Sequence, residues 1–278
     1  MRPGAPPGLA VADRTEPAAR ALRGVVHLVG AGPGAPDLLT LRALRLLQSA
    51  DIVFHDALVH PDTVALAANA HKVAVGKRCG THSAAQRFIN KRLVDAARRY
   101  RCVVRLKGGD PMLFGRAQEE IDALQAAGIA VEVVPGVTAA QAAAADLGIS
   151  LTRRGVSRSV AFATPRVGID EAPSDWAASL AGADTGVLYM AAHQARTVAE
   201  ELLRRGKPPT LPVAIVVWAS LASRRRFTTL AALARDGAAP GDGPALLLVG
   251  EILRGAADAA REVPAPLVPH TAAARRAA

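Results

Sequence analysis

The chain predicts an α/β fold in two domains, and three observations carry the prediction. Short apolar runs rich in Val, Leu and Ile alternate with stretches of helical periodicity between about residues 24 and 255. Half of the 278 residues are hydrophobic, yet only 3% are aromatic. The core must therefore come from branched aliphatic strands and Ala/Leu helices, the usual material of layered α/β domains. Between Ile149 and Ser157 the texture turns polar and basic, through Ser150, Thr152, Arg153, Arg154 and Gly155, which marks a junction. The expected organisation is a tail over 1–23, an N-terminal α/β domain over 24–150, a C-terminal α/β domain over 151–255 and a second tail over 256–278. Both tails are Pro, Ala and Arg without periodicity.

The elements follow in order. Val25–Gly30 reads as a first strand, and Pro36-Asp37 as the start of a helix over about 38–49. Strands follow at 51–55 and 73–76. A helix from Ser83 to Arg99 leads into a strand at 102–106, and a helix over 116–127 stops at Gly128. A strand at 131–134 ends in Pro135-Gly136, and Thr138 caps a helix made almost wholly of alanine. This punctuation predicts a parallel, doubly wound first sheet. Strands at 159–164, 187–190, 213–218 and 245–249 belong to the second domain.

Composition narrows the function. No apolar run approaches the roughly 20 residues that span a bilayer, and residues 1–23 lack the apolar core of a signal peptide. A cytoplasmic protein with no membrane partner is expected, with Cys79 and Cys102 as reduced thiols. The net charge is +10, from 34 Lys and Arg against 24 Asp and Glu. Aromatic platforms are scarce and the arginines are scattered, with dense spots only at 98–99 and 224–226. That pattern points away from nucleic acid and towards an acidic small molecule or a plainly solvated surface. His60, His71 and His82 show no metal-ligand spacing, so no metal is expected.

The richest segment runs Val-Val-Arg-Leu-Lys-Gly-Gly-Asp-Pro-Met-Leu-Phe-Gly-Arg-Ala-Gln-Glu-Glu over 103–120. A buried strand empties into Gly108-Gly109-Asp110, as strands do at a ligand crevice. Asp110 could accept from a ribose or amino group. Arg116 and Glu119 then share a helix face, either as an exposed ion pair or as acid–base equipment. A second bare loop, Gly30-Ala31-Gly32-Pro33-Gly34-Ala35, follows strand one. It fits a dinucleotide fingerprint loosely, because Pro33 removes an N–H that a pyrophosphate would use. An adenosine-bearing ligand without phosphates, a nicotinamide or flavin cofactor, and a structural turn all remain open for it. His55-Asp56 closes the second strand at the same sheet edge.

Taken in order, Val-Gly-Ala-Gly-Pro-Gly (29–34), Leu-Leu-Thr-Leu-Arg-Ala-Leu (38–44), Val-Gly-Lys-Arg (75–78), Arg-Leu-Lys-Gly-Gly-Asp-Pro (105–111), Phe-Gly-Arg (114–116) with Glu119-Glu120, and Val-Val-Pro-Gly-Val-Thr-Ala (133–139) resemble the tetrapyrrole methylase superfamily. Within it they are similar to the uroporphyrinogen-III C-methyltransferases, over about 24–255, in what looks like the single-function form.

The resemblance implies the tetrapyrrole methylase fold, a homodimer, and S-adenosyl-L-methionine in the cleft between the domains, released as S-adenosyl-L-homocysteine. It implies conversion of uroporphyrinogen III to precorrin-2 through precorrin-1, in siroheme or cobalamin synthesis. The donor would be held by Pro33, Gly108, Gly109, Asp110, Leu113, Thr138, Ala139, Met190 and Ala219. Asp56 and Lys77 match proton-transfer positions, with Arg116 and Glu119 as further candidates for catalysis. Arg116, Glu119, Arg154 and Met190 match substrate-contacting positions. A related precorrin methyltransferase, or a nicotinamide-dependent oxidoreductase reading the 30–35 loop, is the alternative. The chain departs from the common pattern at Arg153 (usually His), Pro165-Arg166 (Gly-His), Ala191 (Gly) and Trp218-Ala219-Ser220 (Arg-Gly-Thr).

Overall fold

The computed structural model describes residues 24–75, 82–168, 172, 174–239 and 243–262. Lys77, Cys79, the whole N-terminal tail over 1–23 and residues 263–278 lie outside the described residues. The first half runs β1 (Val25–Gly30), α1 (Leu41–Ser49), β2 (Ile52–His55), α2 (Pro61–Ala65), β3 (His71–Ala74), α3 (His82–Ala97), β4 (Cys102–Lys107), α4 (Ala117–Ala126), β5 (Ala130–Val134) and α5 (Ala139–Leu147). Its five strands pair in the order β3-β2-β4-β1-β5, and every pairing is parallel. The first helix starts later than Pro36-Asp37 suggested. Those residues make one 3-10 turn, Leu39 and Thr40 are extended, and the Thr40 side chain caps α1 by accepting from the Ala43 amide. The short α2, opened by Pro61, went unread because five residues carry too little periodicity.

The sheet is covered on both faces. Ala43 and Leu47 of α1 and Val64 of α2 pack with Val29, Val53, Val104 and Leu106. Leu93 of α3 and Ile121 and Leu124 of α4 pack on the other face with Val26, Leu28, Phe54 and Val103. The connections leaving neighbouring strands β1 and β4 therefore depart to opposite faces. At such a switch point a parallel sheet leaves a crevice beyond its carboxyl ends.

The second half runs β6 (Val160–Ala163), α6 (Trp176–Gly182), β7 (Thr185–Tyr189), α7 (Ala195–Arg204), β8 (Pro212–Val217), β9 (Arg224–Thr229), α8 (Leu230–Asp236), β10 (Ala245–Gly250) and α9 (Arg254–Glu262). The order is β6-β7-β10-β8-β9. Only β6 and β7 pair in parallel; β10 and β9 run antiparallel to their neighbours. The arginine-rich spot at 224–226, read as solvated surface, opens β9. Its residues are exposed, as suits an edge strand guarded by charge. Helix α9 reaches Glu262, so the stretch from 256 that read as tail begins as helix.

Helices α6, α7 and α8 cover one face of this sheet, through Leu180, Val198, Leu202 and Leu233. On the other face lie Ile252 and Leu253 together with Ala140, Ala142 and Ala143 of α5, against Val187, Ala214, Val216 and Leu248. The alanine helix that follows the first sheet in sequence is thus packed on the second. Alanine suits that seam, since only a methyl separates the helix backbone from the strands.

Candidate active site

Three chain crossings build the carboxyl edge of the first sheet. The Ala31 amide donates to the Lys107 carbonyl at 2.7 Å, and Gly32 and Gly109 exchange amide–carbonyl bonds of 3.3 and 2.7 Å. A β-carbon on Gly30 would lie 2.6 Å from Gly136 and 2.7 Å from the Gly109 carbonyl oxygen. Only glycine permits this approach. Gly32 and Gly109 also take positive φ, +75° and +67°. The Asp110 carboxylate, expected to meet a ribose, is engaged within the loop: Oδ1 accepts from the Met112 amide at 2.8 Å and Oδ2 from the Gly136 amide at 2.9 Å. It ties the loop after β4 to the loop after β5. Leu113 follows, half-buried, its amide donating to the Asp110 carbonyl.

The dinucleotide reading of the 30–35 loop loses its donors here. The amides of Ala31 and Gly32 are taken by Lys107 and Gly109, Pro33 has none, and the Ala35 amide donates to Ser220 Oγ at 3.0 Å. No α-helix begins at the loop, so the N-terminal dipole that would hold a pyrophosphate is missing from it.

The second sheet meets this edge at the carboxyl ends of β7 and β8. The Ser220 amide donates to Asp146 Oδ2 at 2.8 Å, so one residue joins the first loop to α5. The Ala140 amide donates to the Tyr189 hydroxyl at 3.2 Å. Burial pushes the Tyr189 phenol above its ordinary value. Its ring stands 5.0 Å from Phe114 and 6.4 Å from Phe162, centroid to centroid. Phe114, Arg116, Met190, Trp218 and Ser220 all hold positive φ. Such backbone costs on the order of 1–3 kcal/mol a residue and gathers where function constrains the chain.

The expected site residues distribute as follows. Pro33, Gly108, Gly109, Asp110 and Leu113 lie on the loops that leave β1 and β4, and Thr138 and Ala139 open α5. Met190, 43% exposed, and Ala219, buried, come from the second sheet. The Arg166 guanidinium lies 3.8 Å from Met190 Sδ. The Ala191 methyl, one residue on, is wholly buried in the second core and so points away from the cleft. Arg116 and Glu119 close on each other through a two-pronged ion pair of 2.6 and 2.7 Å, both exposed at the start of α4. Arg154 stands apart, on an exposed turn closed by the Arg153–Ser157 pairing, in an open recess with Thr152 and Arg158.

Beneath the rim lies a charge cluster that the sequence reading missed. Asp56 accepts from Arg105 Nη2 at 2.6 Å. Arg105 Nε donates to Glu120 Oε1 at 3.0 Å, and Lys107 Nζ donates to both Glu120 oxygens at 3.1 and 3.0 Å. Gln86 donates to Glu120 at 3.2 Å. Arg105, Lys107 and Glu120 are 2%, 4% and 0% exposed. Burial would lower the Arg105 guanidinium, but Asp56 and Glu120 outweigh it and raise it. Burial and the neighbouring Arg105 push the Lys107 ammonium below the ordinary lysine value. A signal existed. Arg105 and Lys107 sit two apart in an apolar strand, hence on one face, and buried charges need partners.

A family model for the tetrapyrrole (corrin/porphyrin) methylases matches residues 25–234. A siroheme synthase of Psychrobacter sp. (strain PRwf-1) is 47% identical over 234 residues, 83% of this chain and 48% of the relative. The chain thus spans about half the length of such curated relatives. Uroporphyrin-III C-methyltransferase from Thermus thermophilus, solved in complex with S-adenosyl homocysteine, superposes with a TM-score of 0.72 at 39% identity, over 84% of this chain and all of that one. A cobalt precorrin-4 methyltransferase structure superposes with a TM-score of 0.70 at 29% identity, over 82% of this chain and 95% of that one. With the family model matching residues 25–234, and with the two sheets that fit it, the chain belongs to the tetrapyrrole methylase family.

Proposed function

We propose that the protein is an S-adenosyl-L-methionine-dependent C-methyltransferase acting on uroporphyrinogen III, giving precorrin-2 through precorrin-1. The observation that carries this reading is the bare glycine edge facing the second sheet. A β-carbon at Gly109 would meet nothing within 4 Å, and one at Gly108 only Leu58 at 4.0 Å. The backbone there is open to a ligand. Thr138 opens α5 in a capping box with Gln141, whose side chain accepts from the Thr138 amide at 3.3 Å. These residues fit an adenosine- and methionine-bearing donor.

The bound donor supplies an electrophilic methyl on a sulfonium. Pro33, Gly108, Gly109, Leu113, Thr138, Ala139, Met190 and Ala219 would hold it, and Asp110 would keep the loops in register. The main task of the chain is alignment of a pyrrole carbon with that methyl. The carbon's electron pair forms the new carbon–carbon bond, the carbon–sulfur pair stays on sulfur, and one proton leaves the macrocycle. Asp56, a third exposed just beyond β2, is the proton acceptor in this reading, and Lys77 is a second proton-transfer candidate. Arg116, Glu119 and Arg154 serve the carboxylate-bearing periphery of the substrate, for which guanidinium forks are well shaped. The reading includes a homodimer with two domains meeting near residue 150, in the cytoplasm, serving siroheme or cobalamin synthesis.

The test is transfer of labelled methyl from S-adenosyl-L-methionine to uroporphyrinogen III by purified protein. Two methyls per macrocycle are expected, and S-adenosyl-L-homocysteine should raise the melting temperature while NAD(P) does not. Donor-induced stabilisation without transfer would remove the substrate assignment. Arg166 against Met190 favours one second reading, a different precorrin as substrate. Transfer to precorrin-2 but not to uroporphyrinogen III would establish it.

A further inference from the structure

The Arg105, Glu120 and Lys107 side chains bond to one another, to Gln86 and to Asp56 rather than to the glycine loops or the exposed Arg116–Glu119 pair, and they are the most deeply buried charges among the described residues. Strand β4 brings Arg105 and Lys107 to one face, α4 brings Glu120 down onto them, and α3 adds Gln86. The Glu120 carboxylate accepts from three side chains. Two cations side by side in an apolar core repel, and this carboxylate compensates both. Arg105 then has one arm left. Its Nη2 crosses from β4 to β2 and meets Asp56 Oδ1 at 2.6 Å, the only one of the four charges with a solvent-facing surface.

The geometry is that of a fixed post and a held group. Glu120 and Lys107 cannot rotate, because their heads are buried and mutually bonded. Arg105 is fixed by Nε and by a bond from Nη1 to the Leu106 carbonyl at 3.2 Å. Its planar guanidinium leaves one direction for Nη2. Asp56, just beyond the end of β2 and with His55 Nδ1 against its own carbonyl, is thereby held in one orientation, with part of its carboxylate exposed. Asp56 faces Arg105 and Lys107 of β4, Glu120 of α4 and the adjacent His55.

We infer that Arg105 is a positioning residue for the reaction: its buried guanidinium, pinned by Glu120, aims the Asp56 carboxylate at the proton leaving the methylated ring. This rests on the functional reading above, with Asp56 as acceptor. It goes further in assigning a role to Arg105 and Glu120, which never reach substrate.

A double-mutant cycle on the methyl-transfer rate tests it. Arg105→Gln alone should lower kcat by at least about tenfold, within the range that a positioned base contributes. The dissociation constant of S-adenosyl-L-homocysteine should stay within about twofold of wild type, since the donor edge is untouched. Arg105→Lys should restore only part of the rate, because an ammonium lacks the fork. In an Asp56→Asn background, Arg105→Gln should cost no further rate, because the group it aims is gone.

If Arg105→Gln does not fold, the Arg105→Gln/Glu120→Gln double variant removes one charge of each sign and leaves Lys107 opposite Asp56. It should show the same kcat loss and the same dependence on Asp56. Equal losses with and without Asp56 would make Arg105 structural and overturn the assignment. A wild type that transfers no methyl overturns the functional reading itself, and the assignment falls with it.

Discussion

At the residue scale, the donor edge depends on atoms that are absent. A methyl on Gly136 would sit against the Gly109 carbonyl and 2.9 Å from Gly30 Cα. Gly136→Ala should therefore displace the loop after β4, costing about 1–3 kcal/mol in stability as overpacked sites do. It should abolish the melting-temperature rise given by S-adenosyl-L-homocysteine, which differential scanning fluorimetry would show. His27 makes a pH prediction. It is buried beside Glu132, at 3.1 Å. Burial, opposed by Glu132, lowers its imidazole below the ordinary value of 6.5. The unfolded chain then takes up its proton first. The stability that His27 contributes is present above 6.5 and is lost as pH falls below it. The urea midpoint should drop between about pH 7 and about pH 5.5, and His27→Gln should flatten that part of the curve.

At the element scale, α5 is the piece that ties the two sheets. Its alanines face β7, β8 and β10, its first turn reaches the Tyr189 hydroxyl, and its last acid, Asp146, holds Ser220. The Arg225 guanidinium donates to the Asp146 carbonyl as well. Ala143→Leu should destabilise the protein by about 1–3 kcal/mol, measured by urea unfolding, since the seam has no room for three more carbons. Much of this scale was legible. Strand β10 announces itself by an unbroken apolar run ending in glycine, and β1, β4 and β5 by apolar runs that His27, Arg105 and Glu132 interrupt; Gly128, with its positive φ, marks the end of α4. What escaped was material whose local pattern misleads. Strand β9 begins with three arginines, a solvated pattern until a neighbouring strand is known. The two glycine loops were readable because glycine clusters directly after strands mark tight backbone approach. The buried cluster was not, because Glu120 directly follows the exposed Arg116–Glu119 pair and nothing local shows that its side chain turns inward.

At the scale of the whole molecule, the net charge of +10 sets a field around a cleft whose proposed substrate carries several carboxylates. Salt screens such attraction over about 10 Å at 0.1 M. The KM for uroporphyrinogen III should rise several-fold between about 0.02 M and about 0.3 M NaCl, with kcat nearly constant, in initial-rate assays. No described helix is long and apolar enough to cross a membrane. The two sheets meet through α5, whose buried contacts with the second sheet, Ala140, Ala142 and Ala143, are single methyl groups. Such groups have no torsions to freeze, so joining the halves costs almost no rotamer entropy. By the same token, the seam has no alternative packing to fall into. The distance between α5 and the second sheet is therefore set by backbone lying close on backbone, and a bulkier side chain there must push the two apart.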